Sequence, residues 1–323
     1  MREITYREAI TEALDEEMAR DSDVFLIGED IGIYASSFRE TKGLYAKYGE
    51  KRVIDTPISE SAIVGAGVGA ALTGCKPVVC IMFVDFMTLA IDQIINQAAK
   101  IKFMSGGKLK VPLVIRTQGG YGIGMAAQHS QSLESLFYHI PGLKIVVPST
   151  PYDVKGLLKT AIRDEEPIIF MEHKMLYLNS GPVPEKEYII PFGKAEIKRR
   201  GESVTIFAYS RMVCESLKAA EELSSEGIEC EVIDPRTLNP LDENSLLGSV
   251  KKTGRLVIVS EACKRGSVAS DICSIINEKA FDFLDAPIKI VAGLNTPIPY
   301  NCHLGNVCIP AKDNIIKAVR ELF

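Results

Sequence analysis

The chain has 323 residues, 46% of them hydrophobic and 24% charged, with a formal net charge of −5. Acidic and basic residues are interleaved, which argues against a nucleic-acid groove, a polybasic membrane patch or an acidic tail. The longest apolar stretches, such as "PVVCIMFV", fall short of the ~20 residues that span a bilayer. The length exceeds one hydrophobic core, so two domains are expected.

The N-terminal segment "MREITYREAITEALDEEMARDSD" has an acidic amphipathic helix pattern, without the basic start and apolar centre of a signal peptide. Strands are expected at "VFLI" (24–27), "RVID" (52–55), "PVVCIMF" (77–83), "PLVIR" (112–116), "LKIVVP" (143–148) and "PIIFME" (167–172), with helices over 88–102 and 151–163. The stretch "LNSGPVPEKEYIIPFG" (178–193) holds prolines, glycines and mixed charges with no period, and reads as a linker. A second alternating set follows: "SVTIFAY", a helix over 211–225, "IECEVID", a helix near 242–251, "RLVIVSE", a helix over 266–278, and "PIKIVAG". Strands alternating with helices predict an α/β fold of two doubly wound domains, each with a parallel sheet covered on both faces.

The eight cysteines (Cys75, Cys80, Cys214, Cys230, Cys263, Cys273, Cys302 and Cys308) form no CxxC and no zinc spacing. They are expected to be small buried hydrophobes in a reducing, cytoplasmic setting.

"AIVGAGVGAAL" (62–72) nearly matches the dinucleotide fingerprint, with Gly65, Gly67 and Ala70 at G-x-G-x-x-A and Asp85 downstream. An NAD-dependent dehydrogenase is therefore one alternative. The fingerprint must follow a strand, however, and the polar "SES" precedes it. One helix from Ser59 to Leu72 fits better, with Ala62, Ala66 and Ala70 and then Gly65 and Gly69 at spacings of four. Two smooth stripes let another helix approach closely, as at a subunit contact.

On that reading Glu60 opens the helix after "RVID" and the turn "TPIS". It is either a first-turn acid favourably placed on the helix dipole, worth ~0.3–1 kcal/mol, or a carboxyl in an apolar crevice that can hold and donate a proton. In "AAQHSQSLES", His129 follows the glycine-rich "TQGGYGIGM" and precedes an i, i+3, i+4, i+7 stripe of Leu133, Leu136, Phe137 and Ile140. A position just before that helix start would favour the neutral ring. A histidine merely hydrogen-bonded between loop groups is the alternative. His139 and His173 read as structural, and His303 is ambiguous.

Taken together, "GEDIG" (28–32), "RVIDTPISE" (52–60), "AIDQIINQAAK" (90–100), "QHSQS" (128–132), "PGLKIVVPSTPYDVKGLL" (141–158), "AIRDEEP" (161–167) and "IDPRTLNPLD" (233–242) carry a resemblance over nearly the whole chain. They resemble the β subunit of the thiamine-diphosphate-dependent decarboxylase component of 2-oxoacid dehydrogenase complexes. That transketolase-like group includes pyruvate, branched-chain and acetoin enzymes. The resemblance implies a pyrimidine-binding domain over 1–180, a linker over 181–192 and a transketolase C-terminal-like domain over 193–323.

The resemblance also implies roles. Glu60 bonds a ring nitrogen of the cofactor's aminopyrimidine, Ile58 and Met82 line that ring's site, and Phe86 stacks on it. His129 moves protons or steadies the intermediate. No "GDG" metal motif occurs in this chain, so thiamine diphosphate would be shared with an α subunit that holds magnesium. An α2β2 heterotetramer, inactive as β alone, would pass acyl groups to the lipoyl groups of an acyltransferase core. A structural potassium ion is implied on Leu113, Ala161, Ile162, Asp164 and Glu166, with Glu166 standing where asparagine is common. Cys80 stands where similar proteins commonly carry glutamate. "DTPISESAIVGAGVGAALTG" and "MEHKMLY" look closest to acetoin-type members. A non-catalytic scaffold of this fold is the remaining alternative.

Overall fold

The computed structural model describes all 323 residues. The chain divides into two compact units, one of Met1–Gly119 with Leu136–Phe192 and one of Gly120–Ser135 with Gly193–Phe323.

The first unit opens with β1 (Arg2–Thr5), which runs directly into α1 (Tyr6–Arg20). The helix starts there because Thr5 and Glu8 make a reciprocal capping box: the Thr5 hydroxyl accepts from the Glu8 amide at 3.2 Å and the Glu8 carboxylate accepts from the Thr5 amide at 2.8 Å. Then follow β2 (Val24–Glu29), α2 (Leu44–Tyr48), β3 (Val53–Thr56), α3 (Glu60–Leu72), β4 (Lys76–Ile81), α4 (Ala99–Met104) and β5 (Val114–Gly119). After α5 (Glu134–Tyr138) come β6 (Lys144–Val146), α6 (Pro151–Arg163), β7 (Ile168–His173) and β8 (Ser180–Val183). Within this unit the parallel strands run in the order β6-β7-β5-β4-β2-β3. All therefore present their carboxyl ends at one edge, where doubly wound sheets bind ligands.

α1 packs on α6. Ile10, Leu14 and Met18 are buried on this side, and so are Lys155 and Lys159. Their ammonium groups meet Glu16 at 2.7 and 2.6 Å, while Arg163 meets the fully buried Glu17 at 2.6 Å. Polar residues at helix-facing positions are tolerated here because each charge has a partner.

Three expectations need correction, the first two within this unit and the third across the chain. The region read as one helix over 88–102 is a 3₁₀ segment (Val84–Ala90), a π segment (Gln93–Ala98) and only then α4. The stretch without period over 178–193 contains β8, which pairs antiparallel with β1; beyond it Tyr188 stacks on Tyr152 with centroids 4.6 Å apart. The cysteines are all free, but only Cys80, Cys230 and Cys308 are buried and Cys302 is exposed.

The second unit contains β9 (Glu196–Arg199), β10 (Val204–Ala208), α7 (Arg211–Ser224), β11 (Cys230–Asp234), β12 (Thr237–Asn239), α8 (Glu243–Thr253), β13 (Leu256–Cys263), α9 (Val268–Lys279), β14 (Lys289–Gly293), α10 (Cys302–Cys308) and α11 (Lys312–Arg320). Its sheet runs β14-β13-β10-β11-β9, parallel except for the edge strand β9. Val204, Ile206, Val213, Leu223, Val257 and Val319 share its core. The Thr205 hydroxyl is buried between those of Ser249 (2.7 Å) and Thr253 (2.8 Å), so this polar trio is satisfied internally.

Candidate active site

The carboxyl edge of the first sheet is assembled around β2. Its last residue, Glu29, lies opposite Thr56 at the end of β3, and Gly28 lies opposite Cys80 in β4. Neighbouring strands stand ~4.8 Å apart, so the ends of these three strands form one patch. The chain leaves β3 through a short turn and enters α3 at Glu60, whose side chain is buried at 9% exposure. Partial positive charge at the helix start suits a carboxylate there. Burial, Asp30 and then Glu60 raise the pKa of Glu29. The Thr56 hydroxyl is a buried polar atom with no hydrogen-bond partner.

Met82 and Phe86 leave the end of β4 at the same edge and are both half-buried. The Met82 sulfur accepts a hydrogen bond from the Ser37 hydroxyl at 3.0 Å. Phe86 meets Phe83 edge-on, with centroids 5.9 Å apart. Ile58 is 72% exposed, so nothing in its own chain covers it. The first unit thus supplies a buried carboxyl, an orphaned hydroxyl, a polarizable sulfur and an aromatic wall. Those groups fit a flat, nitrogen-bearing ring.

The glycine pattern at 65–70 lies inside α3. A Cβ at Gly67 would stand 2.5 Å from Val79 Cγ2, and at Gly65 3.7 Å from the Gln93 side chain. The helix uses these amides itself, and β3 ends at Thr56, before the turn that leads to the helix. A dinucleotide cradle is therefore absent from this segment, and the NAD alternative loses its only feature.

His129 belongs to the second unit. It lies half-buried on a single 3₁₀ turn (Ala127–His129) in a loop closed by the Gly120 amide donating to the Gln131 carbonyl at 2.8 Å. Gly120, Gly124 and Ala126 have φ of +77°, +71° and +59°, conformations for which glycine is suited. Tyr121 is buried, and its amide donates to the Glu261 carboxylate, which also meets Arg211 at 3.1 Å. The expectation that His129 abuts a helix start is corrected: residues 130–133 separate it from α5, and helix-end effects fall off within one turn. Glu134, on α5, accepts from the Tyr209 hydroxyl at 2.6 Å, and burial raises its pKa. Beside the loop is a cavity of about 290 Å³ whose lining includes Ser130, Gln131, Glu261, Cys263 and Cys308.

Of the other histidines, His173 is buried after β7 and its Nδ1 accepts from the Met175 amide at 3.1 Å; His139 and His303 are exposed.

No three His, Cys, Asp or Glu side chains come together to hold a metal ion. Around the segment expected to bind potassium, Asp164 accepts from Lys144 at 2.7 Å and from the Glu166 amide at 2.9 Å. Glu166 meets both Lys102 and Lys144. These carboxylates are thus engaged by ammonium groups. The Leu113 and Ala161 carbonyls each accept one amide, from Ile168 (2.9 Å) and Asp164 (3.2 Å). A carbonyl has two lone pairs, so main-chain oxygens remain capable of holding a weakly hydrated cation.

One polar cluster escaped sequence reasoning. Arg116, buried in β5, makes a bidentate pair with Glu172 (2.7 and 2.9 Å), and Glu40 lies 3.8 Å away. An arginine closing the apolar run "PLVIR" was the available signal, since a buried guanidinium needs carboxylate partners.

Comparison with known proteins agrees with this architecture. Residues 2–179 match the transketolase pyrimidine-binding domain and residues 193–315 the transketolase C-terminal domain. A solved structure titled "Split gene transketolase, inactive beta4 tetramer" superposes with a TM-score of 0.81 at 22% identity, covering 99% of this chain and 98% of that one. Fold and domain matches therefore define a transketolase-like protein with a pyrimidine-binding and a C-terminal transketolase domain.

Among curated proteins, the acetoin:2,6-dichlorophenolindophenol oxidoreductase subunit beta of Cupriavidus necator is 50% identical over 99% of this chain and 97% of its own length. The pyruvate dehydrogenase E1 component subunit beta of Rickettsia felis is 47% identical, and the 2-oxoisovalerate dehydrogenase subunit beta of Bacillus subtilis 46%, each with 99% of this chain and 98% of that protein covered. The chain belongs to this family of dehydrogenase β subunits.

Proposed function

We propose that the chain is the β subunit of a thiamine-diphosphate-dependent dehydrogenase component that cleaves acetoin or a 2-oxoacid and delivers the acyl group to lipoyl groups of an acyltransferase core. Acetoin is the favoured substrate, with support from the 50% identity to an acetoin enzyme's β subunit. Pyruvate and branched-chain oxoacids are the competing substrates. The observation that carries the proposal is the buried Glu60 carboxylate at the sheet's carboxyl edge, in a chain of this family.

Thiamine diphosphate supplies the nucleophilic carbon and the electron sink when bound. The chain's own residues do the rest. Glu60 accepts and returns a proton at a ring nitrogen, Met82 and Phe86 wall the ring, and Ile58 closes it from the exposed side. His129 exchanges protons beside the substrate, with the glycine-bearing loop bringing it there. An α subunit completes the site in an α2β2 assembly, holding magnesium and the diphosphate. We extend the proposal to a potassium ion on main-chain oxygens of Leu113, Ala161, Ile162, Asp164 and Glu166. The division of labour follows residues 1–180 for the pyrimidine and 193–323 for assembly, with 181–192 between them.

Calorimetry with thiamine diphosphate and magnesium, on this chain with and without its α subunit, tests the proposal. Binding only in the joint sample is expected. A joint sample that forms the tetramer but binds no cofactor would leave a scaffold.

A further inference from the structure

The loop from Asp30 to Thr41, between β2 and α2, borders the same carboxyl edge and has no part in the function proposed above. Four of its non-glycine residues adopt left-handed backbone: Asp30 (φ 55°), Ala35 (67°), Ser36 (67°) and Arg39 (63°). Such conformations persist only where the surroundings enforce them. Here the Ser36 amide donates to the Asp30 carbonyl at 2.8 Å, the Thr41 hydroxyl to the Ile31 carbonyl at 2.7 Å, and the Gly32 amide to Asp55 at the end of β3 at 2.6 Å.

The strongest anchor is Glu40, which is 1% exposed. Its Oε1 accepts from the Ser36 hydroxyl at 2.8 Å and from the Gln118 amide group at 3.1 Å, and it lies 3.8 Å from the Arg116 guanidinium. Ser37, next in sequence to Ser36, donates to the Met82 sulfur. Phe38 then stacks on Tyr177 at 4.8 Å and meets Phe83 edge-on at 6.2 Å, while Tyr177 donates to Glu172 at 2.6 Å. The buried ion pair and the loop that touches Met82 are therefore one connected structure.

The same cluster accounts for Cys80. Its sulfur lies 3.5 Å from Arg116, and burial pushes its thiol up to about 11, which keeps it neutral. Arg116 consequently takes its buried carboxylate neighbours from Glu172 in β7 and from Glu40 on the loop, rather than from position 80 in β4.

We propose that Glu40 is a positioning residue for the pyrimidine site: it ties the strained loop to Arg116 and thereby sets Ser37 and Phe38 against Met82 and Phe83. This rests on the assignment of Met82 to the cofactor's ring. The test uses the complete chain assembled with its α subunit and measures the thiamine diphosphate concentration for half-maximal activity. Glu40→Gln is expected to raise it ~tenfold, the size of effect typical of an outer-layer support, with kcat changed less than twofold. Cys80→Glu alone crowds three carboxylates on one guanidinium and lowers the melting temperature. The double variant Glu40→Gln/Cys80→Glu returns charge balance and recovers most of the lost melting temperature. Ser37→Ala, which spares the buried cluster, is expected to raise half-saturation in the same direction and covers the case of an insoluble Glu40 variant.

A responsive wild-type assembly in which Glu40→Gln and Ser37→Ala match wild type in half-saturation would overturn this inference alone. So would a double variant no more stable than the sum of its singles predicts. A wild-type assembly indifferent to thiamine diphosphate would remove the function proposal first, and this one with it.

Discussion

Gly67 and Gly69 sit two residues apart in α3 and should respond oppositely to alanine. Alanine is better than glycine in a helix interior by ~1 kcal/mol. At Gly69 nothing lies within 4 Å of the new methyl and the residue is exposed, so that gain should appear nearly whole. At Gly67 the methyl would stand 2.5 Å from Val79 Cγ2 and 3.1 Å from Leu113 Cδ1. Val79 is fully buried and, being β-branched, has few rotamers through which to yield. Overpacking of this kind costs ~1–3 kcal/mol, so the net effect at Gly67 is a loss of ~0–2 kcal/mol. For units of this size 1 kcal/mol moves the melting temperature by roughly 2–4 °C. Thermal unfolding of the isolated chain, followed by circular dichroism, should show Gly67→Ala melting up to ~8 °C lower and Gly69→Ala up to ~4 °C higher. The reverse order would refute the packing of α3 on β4.

Arg116→Met should cost ~3–5 kcal/mol, because it strands the buried Glu172 and Glu40; denaturant titration would read this, and a loss under 1 kcal/mol would contradict the pairing. Glu16 is held below its ordinary 4.5: burial alone would raise it, but the hydrogen bonds from Lys155 and Lys159 win. A depressed carboxylate adds stability above its unfolded pKa and loses it as pH falls through the folded one, so the chain should weaken below about pH 4.5, less so in Glu16→Gln. Glu40 has the opposite sign. Burial raises its pKa above 4.5 against the pull of Arg116, with Glu172 adding to the rise. Its contribution is complete below the unfolded value and declines as pH rises through the folded one. Glu40→Gln should flatten that alkaline-side decline in unfolding curves, and an unchanged slope would count against it. Potassium chloride, compared with sodium chloride at equal strength, should raise the melting temperature if the main-chain oxygens from Leu113 to Glu166 hold the cation; equal melting in the two salts would remove that site.

The parallel strands were legible because each is a short apolar run bounded by turn residues, and α3 because its small residues recur every four positions after a β-strand and a turn. α6 was readable to the residue, since Thr150 and Pro151 mark its start and accept the first-turn geometry. The antiparallel pairing of β1 with β8 was not, because its partners are some 180 residues apart and proline-rich sequence hides the second strand. The mixed 3₁₀ and π run after Met82 was not legible either, because its apolar residues carry a helical spacing that does not distinguish these helix types. At the candidate site, local patterning could single out Glu60, which sits at a helix start. It could not reveal the Glu40–Arg116–Glu172 group, whose members come from a loop and two strands. Nor could it show the distance between His129 and α5, which depends on where the loop turns.

The decisive measurement is hydrogen–deuterium exchange at the thiazolium carbon of thiamine diphosphate in the reconstituted α–β assembly. Wild type should exchange rapidly, and Glu60→Gln should assemble normally yet exchange no faster than the free cofactor. Normal exchange in an intact Glu60→Gln tetramer would contradict the role given to this acid.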